Sequence, residues 1–177
     1  MGESPRLIAP SLACKESYRA LVAEFAARGE EPIPFPLSFP NENFEAFLAH
    51  LAGCERGIGI PADFVPHSTF WLVEEGEVVG VSNLRHRLTE RLLEEGGHIG
   101  YGIRPGARGR GLGKAILGLT LREAARRGIG RVLLTCAKAN SASAAVIAAN
   151  GGALESEGFV ARRGEVVQRW WIEARGP

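Results

Sequence analysis

The sequence has little cysteine and almost no net charge. Its 177 residues include three cysteines, Cys14, Cys54 and Cys136, which are widely spaced and form no Cys-x-x-Cys pair. An odd number at these spacings argues against a disulfide framework and indicates a reducing compartment. The formal net charge is +1, so the whole molecule presents no basic field for nucleic acid, and any anion must be bound locally.

Long apolar stretches are also missing. No uninterrupted apolar run approaches the length of a membrane-spanning helix, and residues 1–6 do not resemble a signal peptide. We therefore expect a cytoplasmic protein without a membrane partner. The length suits a single domain over residues 1–177.

One stretch, residues 98–114, is rich in glycine and arginine. Residues 98–104 alternate bulky and small side chains as a strand does, and apolar residues recur at helical spacing from Lys114 onward. The glycines between them let a ligand approach the backbone, and a helix N-terminus offers unpaired N–H groups. Arg108, Arg110 and Lys114 add positive charges, so the turn is a candidate anion-binding site.

Spacing distinguishes this turn from two nucleotide-binding motifs. The P-loop requires glycine where Arg108 stands and Ser or Thr where Ala115 stands. The dinucleotide fingerprint needs a third glycine three residues beyond the second, which Gly109, Gly111 and Gly113 do not provide. The alternative interpretation is a basic, glycine-rich surface turn that binds nothing.

The order of predicted elements indicates an α/β protein: strand, two helices, three strands, helix, strand, helix, two strands. We expect a mixed central sheet of about seven strands flanked by about four helices. The predicted strands are 6–10, 68–73, 77–88, 98–104, 131–137, 153–159 and 166–173. The predicted helices are 16–28, one capped by Asn41 that ends near Gly53, one from Lys114, and 140–149.

The loop 30–40 contains four prolines in eleven residues, which excludes regular helix and sheet. Its interleaved apolar residues, Ile33, Phe35, Leu37 and Phe39, leave two interpretations. The loop either packs over the body and forms one wall of a substrate cleft, or is a connector with a few buried anchors.

Two motifs together resemble the GNAT N-acetyltransferases. The run Arg108-x-x-Gly111-x-Gly113 is similar to the pyrophosphate-binding loop of that family, and Asn140-x-x-Ser143 is similar to its pantetheine-binding helix. The predicted element order also matches the GNAT fold from Arg6 to Glu173. The resemblance extends to a branch of predicted bacterial acetyltransferases without a firm substrate and, more loosely, to enzymes that acetylate ribosomal-protein N-termini.

The resemblance implies an acetyl-CoA-dependent acyltransferase with no metal, in which a neutral amine attacks the thioester directly. In the strand before the loop, the backbone of Tyr101, Gly102 and Ile103 would pair with the pantetheine amides. The Ile103 N–H would polarise the acetyl carbonyl. The cofactor-binding residues implied by the family motifs are Tyr101, Gly102, Ile103, Arg108, Gly109, Arg110, Gly111, Leu112, Gly113, Lys114, Asn140 and Ser143.

The catalytic acid and base are less closely specified. Many relatives place a tyrosine acid where this chain has Ile147, so water, Ser143 or Tyr101 would assist the leaving thiolate. His98 is the candidate base because several relatives have a glutamate there and its ordinary pKa suits proton removal near neutrality. The alternative is that His98 bonds a neighbouring strand or loop.

The acceptor is expected to be a small-molecule amine, with Arg85 and His86 as candidate substrate-binding residues. Arg85 would hold an acidic group of the substrate, or else face solvent. Two other functions remain open: acetylation of a protein α-amine or lysine, and a non-catalytic sensor of acyl-CoA. A second copy of the chain, in a homodimer, is a further candidate partner.

Overall fold

The computed structural model describes residues 4–174. Residues 1–3 and 175–177 of the predicted domain lie outside the described residues. Within this range the chain forms seven strands and five α-helices, with short 3-10 turns at Leu12–Cys14, Phe35–Ser38 and Pro105–Ala107. The strands are β1 (Arg6–Ile8), β2 (His67–Glu74), β3 (Glu77–Arg85), β4 (Ile99–Ile103), β5 (Arg131–Ala137), β6 (Ala153–Val160) and β7 (Glu165–Glu173). The helices are α1 (Lys15–Ala27), α2 (Phe44–Glu55), α3 (Glu90–Glu94), α4 (Leu112–Arg126) and α5 (Ser141–Ala149).

The seven strands form two antiparallel sheets, with strand orders β1-β2-β3-β4 and β5-β7-β6. They meet just before β4, where the His98 N–H donates to the Leu133 carbonyl at 2.7 Å. The predicted α/β fold with seven strands is confirmed. Because β4 and β5 belong to different sheets, the edge of β4 beyond this junction is not covered by a ladder.

Helices cover both faces of the first sheet. Strand alternation turns Trp71 and Val81 toward α1 and α2, where Tyr18 stacks on Trp71 with ring centroids 4.6 Å apart. The opposite face packs Leu84 and Ile99 against α4. The buried side of α4 recurs at helical spacing and consists of Leu112, Ile116, Leu117, Thr120, Leu121 and Ala124.

Several predicted boundaries are wrong by a few residues. Asn43, not Asn41, caps α2, because its side chain accepts the Ala46 N–H. β3 ends at Arg85 rather than at residue 88. The His86 N–H still donates to the Pro66 carbonyl, but Pro66 has no N–H with which to continue the ladder.

Two helix predictions also need correction. α4 begins at Leu112, two residues before the predicted start. The charged break after β3 contains the unpredicted helix α3, and its cap is Thr89, whose side chain accepts the Leu92 N–H.

The junction of the two sheets leaves no room for a side chain at Gly97. A Cβ there would overlap the Leu133 carbonyl oxygen, and Gly97 has a φ of +58°. Gly128 has a φ of +77° with no atom within 4 Å of its Cβ position. Gly97→Ala and Gly128→Ala both place a side chain on a residue with left-handed backbone angles, which is unfavourable. Only Gly97→Ala adds a steric clash. We expect Gly97→Ala to lower the free energy of unfolding by roughly 1–3 kcal/mol more than Gly128→Ala in urea denaturation. Equal losses would contradict this tight junction.

Candidate active site

A cleft of about 660 Å³ opens where the two sheets separate. Its walls are β4, the turn between β4 and α4, the first turn of α4, one side of α5 and the start of the loop 30–40. All of the residues predicted to bind the cofactor line this cleft except Arg110. The structure thus brings together two motifs that lie about thirty residues apart in the chain.

The free edge of β4 presents backbone groups to this cleft. In the ladder between β4 and β3, the Arg104 N–H donates to the Val79 carbonyl at 2.9 Å. Because only every second residue of an antiparallel strand bonds a given neighbour, Arg104 and Gly102 are bonded to β3. The amides of Tyr101 and Ile103 therefore face away from β3, and both residues line the cleft.

The first turn of α4 forms the positively charged end of the cleft. Gly109 and Gly111 have φ values of +78° and +79°, and no atom lies within 4 Å of either Cβ position. The first N–H groups of α4 have no partner within the helix. Arg108 precedes this turn and Lys114 lies in it, and both line the cleft. This arrangement suits a phosphate group.

Arg108 already has a carboxylate partner. Its guanidinium donates to both oxygens of Glu30, at 2.9 and 2.6 Å, and its Nε donates to the Ile103 carbonyl at 3.1 Å. The bond to Arg108 lowers the pKa of Glu30. A phosphate that binds Arg108 must therefore displace an anionic group of the protein itself.

Arg110 does not join this site. It pairs with Glu74 at 2.6 Å and is absent from the lining of the cleft. The predicted contact of Arg110 with the cofactor is untested by this geometry and stays a prediction.

Tyr101 and Ser143 meet inside the cleft, where the Tyr101 hydroxyl and the Ser143 hydroxyl lie 3.1 Å apart. Burial raises the pKa of Tyr101, so its phenol keeps its proton at neutral pH. Asn140 caps α5, and its side-chain oxygen accepts the Ser143 N–H at 3.0 Å. Ile147, which stands where many relatives have a tyrosine, is buried in the core.

His98 links the two sheets through its side chain as well as its backbone. Its Nδ1 accepts the Leu133 N–H at 3.0 Å, so the neutral ring carries its proton on Nε2. Burial and then the positive charge of Arg85 lower the pKa of His98 to about 4. This geometry supports the structural interpretation of His98, and its role as general base stays a prediction.

The two candidate substrate-binding residues do not lie together. The Arg85 guanidinium donates to the carbonyls of Gly96 and Gly97 at 3.0 and 3.2 Å. The His86 ring instead bonds the Ser68 hydroxyl at 2.9 Å, on the side of the sheet where Glu55 also contacts Ser68. The substrate-binding prediction for these two residues remains untested, but one acceptor cannot easily contact both.

Sequence reasoning missed part of the cleft lining. Ala142, Val146 and Ala149 of α5 also line the cleft, and their spacing of four and then three residues along the helix could have identified them as one face. Phe25, Glu30 and Ile33 come from the end of α1 and the following loop. No local pattern marks those three, because only the packing of the loop brings them to β4.

A family model describes this chain. Residues 28–151 match the model of the Acetyltransferase (GNAT) family. The chain belongs to this family. The predicted membership and the predicted acetyl-CoA-dependent acyltransferase activity are confirmed, and acetyl-CoA is the acetyl donor. A sequence search among curated proteins finds no significant match.

Solved structures of similar fold agree with the family assignment. RimL, a ribosomal L7/L12 alpha-N-protein acetyltransferase in complex with coenzyme A, is 20% identical with a TM-score of 0.68, and the match covers 96% of this chain and 94% of that chain. The microcin C7 self-immunity acetyltransferase MccE, in complex with acetyl-CoA and AMP, is 13% identical with a TM-score of 0.69, covering 97% and 93%. The putative acetyltransferase yncA of Salmonella typhimurium, with acetyl-CoA, is 15% identical with a TM-score of 0.64, covering 98% and 95%.

Residues 4–174 contain neither a metal-binding cluster nor a membrane-spanning helix. Across residues 4–174, no group of three or more His, Cys, Asp or Glu side chains is arranged to hold a metal ion. None of the helices in the same range combines the length and apolar character needed to cross a bilayer.

The buried state of His98 in this acetyltransferase predicts a dependence of stability on pH. Between its ordinary pKa of 6.5 and its folded pKa of about 4, the unfolded chain binds a proton that the folded chain does not. The free energy of unfolding therefore falls as the pH is lowered through this range, by about 2 kcal/mol at pH 5 for this one group.

His98→Asn tests this linkage. An asparagine side-chain oxygen can accept the Leu133 N–H without titrating. We expect a smaller loss of unfolding free energy between about pH 7.5 and about pH 5 in the variant than in the wild type, measured by urea denaturation. The same loss in both proteins would contradict a folded pKa well below 6.5.

Proposed function

We propose that this acetyltransferase transfers the acetyl group of acetyl-CoA to a primary amine of a small molecule by direct attack. The observation that carries the proposal is one cleft that combines the free amides of β4, the open first turn of α4 and the Tyr101–Ser143 pair. Phosphate, peptide-like pantetheine and a leaving thiolate each need one of these three features.

The cofactor would lie along the cleft in a defined direction. The pyrophosphate would bind the first turn of α4 with Arg108 and Lys114, after displacing Glu30. Ile103 is the end of β4 that contacts Arg108, whose Nε donates to its carbonyl, so the pantetheine amides would pair with the backbone of Ile103. The thioester carbonyl would lie further along the strand and accept the Tyr101 N–H instead of the Ile103 N–H, a single donor that stabilises the oxyanion as the amine attacks.

The leaving thiolate needs a proton. The Tyr101 phenol is protonated and lies 3.1 Å from Ser143 in the same cleft, so it is our candidate for the acid that Ile147 cannot supply. This pair argues against the acyl-CoA sensor, because the missing tyrosine at position 147 was the only feature in its favour.

The amine must lose a proton before it attacks. Nε2 of the neutral His98 ring already carries a proton, so His98 could accept another only on Nδ1, which would then give up its bond to the Leu133 N–H. We therefore propose that the proton leaves through water, with His98 holding the start of β4 in place.

The loop 30–40 supports a small acceptor. A Cβ at Gly102 would overlap the Ile33 carbonyl oxygen, and a Cβ at Gly100 would lie 3.4 Å from Pro34. The loop thus packs directly on β4 and narrows that side of the cleft. Acetylation of a protein N-terminus is the alternative, and the fold similarity to RimL is its support.

The described cysteines are free, which supports a cytoplasmic, reducing location.

Binding of acetyl-CoA tests the charged end of the cleft. We expect the double variant Arg108→Ala, Lys114→Ala to weaken acetyl-CoA binding by roughly tenfold or more in calorimetry, because two cations are removed from the pyrophosphate. Arg126→Ala is the matched control, since Arg126 lies at the other end of α4 and pairs with Glu123. An unchanged affinity for acetyl-CoA in the double variant would refute a pyrophosphate site at the first turn of α4.

Acetyl transfer itself is tested by thiol release from acetyl-CoA in the presence of a panel of primary amines. We expect release with at least one amine, and a turnover number about tenfold to a hundredfold lower in Tyr101→Phe with little change in acetyl-CoA affinity. Tight binding without release for any amine would favour the sensor. A turnover number unchanged by Tyr101→Phe would move the acid role to Ser143 or to water.

A further inference from the structure

One face of the first sheet carries a row of polar residues that the proposed chemistry does not use. His67 lies opposite Arg85, and Thr69 lies opposite Asn83. Asn83 in turn lies opposite Gly100 of β4. Residues directly opposite each other share a face, and this face is the one that carries Trp71 and Val81 toward α1 and α2. We call His67, Thr69, Asn83 and Arg85 the polar row.

Two members of the polar row have unpaired polar atoms. The Asn83 amide nitrogen lies 3.3 Å from the Ser68 carbonyl oxygen, 3.1 Å from the Thr69 hydroxyl and 2.9 Å from His67 Nδ1, and its two N–H groups are shared among these three acceptors. A carbonyl only accepts, so this orientation of the amide is required, and the Asn83 oxygen is left as a free acceptor. Asn83 has no exposed surface.

The tautomer of His67 follows from the same contact. Its Nδ1 accepts from Asn83, so the neutral ring carries its proton on Nε2, and that N–H has no partner. Burial keeps the ring neutral by lowering the pKa of His67 to about 4. His67 is 1% exposed. A buried donor and a buried acceptor without partners are costly, and each points to a missing ligand group.

Arg85 supplies a positive charge beside them. Its guanidinium is held by the Gly96 and Gly97 carbonyls and lies with Cζ 5.5 Å from the centre of the Phe35 ring. Among residues 4–174, no carboxylate oxygen lies within 4.0 Å of it. A partly buried arginine is normally paired with an acid, so the polar row contains a cation that lacks a counter-ion.

The unpaired groups define a complementary ligand. Arg85 and the His67 N–H can donate hydrogen bonds to a pair of anionic oxygens, and the Asn83 oxygen can accept one from an N–H group. We propose that the acceptor amine carries a carboxylate, which binds Arg85 and His67 while its amino end lies near Asn83. This inference rests on the proposed function and names the substrate class of the same site.

The order of the polar row along the sheet agrees with the proposed chemistry. Tyr101, which would hold the thioester, lies opposite Ser82, so Asn83 is nearer to it than Arg85 is. The amine would therefore be on the side of the acetyl group and the carboxylate on the far side. Asn83 and Arg85 are two residues apart, or about 7 Å along a strand. That span fits an amine and a carboxylate separated by several bonds, as in an ω-amino acid.

The loop 30–40 covers this site. The Phe35 ring meets His67 edge-on with centroids 5.0 Å apart, and Pro34 lies over Gly100. Because His67 and Asn83 are buried, the segment Ile33–Phe35 must shift to admit the ligand, and Phe35 would then close over its carbon chain.

Matched amine pairs test the proposal. Three ω-amino acids each have a matched amine that lacks only the carboxylate. γ-Aminobutyrate is matched by propylamine, δ-aminovalerate by butylamine and ε-aminocaproate by pentylamine. We expect the protein saturated with CoA to bind at least one ω-amino acid roughly tenfold or more tightly than its partner amine in calorimetry, since a charged hydrogen-bonded pair contributes that much. Equal affinities within every pair, or no binding of any ω-amino acid, would overturn the proposal.

Variants locate the effect. Arg85→Gln is expected to bring the affinity ratio close to one, and Arg85→Lys, which keeps the charge but not the paired geometry, to leave an intermediate ratio. Arg87→Gln, an exposed arginine two residues further on, is the control and should keep the wild-type ratio. Melting temperatures establish that each variant is folded. A ratio that survives both Arg85 substitutions would overturn the role of Arg85.

The same amines, used with acetyl-CoA, separate this proposal from the proposed function. Carboxylate-dependent binding without acetyl transfer would refute the function and keep the site. Acetyl transfer with equal kcat/KM for both members of each pair would keep the function and refute the site.

Discussion

Two hydrogen bonds between His98 and Leu133 join the two sheets of this acetyltransferase at the point where the cleft begins. The first joins backbones, and the second uses the imidazole of His98 in place of a ladder bond. Beyond this point β4 has no strand on its second side. An open strand edge presents unpaired N–H and C=O groups with which another backbone can pair. Here they are left for a ligand whose own amides can pair with them.

The two arginines of the turn before α4 are paired with carboxylates before any ligand enters. Glu30 bonds Arg108 through both of its oxygens, and Glu74 bonds Arg110. Such pairs on the surface contribute little to stability, so the exchange of a carboxylate for a pyrophosphate need not cost much. Arg85 differs from both, because it is less exposed and no carboxylate oxygen of residues 4–174 lies within 4.0 Å of it. This contrast separates the arginine of the polar row from those of the cofactor turn.

Burial decides what the titratable groups can do. Desolvation raises the pKa of Tyr101 and lowers the pKa of His98 and of His67 to about 4. At neutral pH the first stays a proton donor and the two histidines stay neutral. The expectation that His98 titrates near neutrality came from the ordinary pKa of histidine, whereas in the structure the ring is buried and its Nδ1 accepts the Leu133 N–H.

The sequence by itself determined the features that depend on near neighbours. Glycine spacing and charge identified the turn before α4, Asn140 was recognisable as a cap, and the order of strands and helices followed from periodicity. The predicted start of α2 was wrong because the sequence offers two possible caps, Asn41 and Asn43. Which of them caps the helix depends on how the chain enters it. Only the tertiary structure decided that Tyr101 meets Ser143, 42 residues away, and that Glu30 meets Arg108, 78 residues away. Local propensities act over a few residues, whereas hydrogen-bond partners and burial arise from the packing of distant segments.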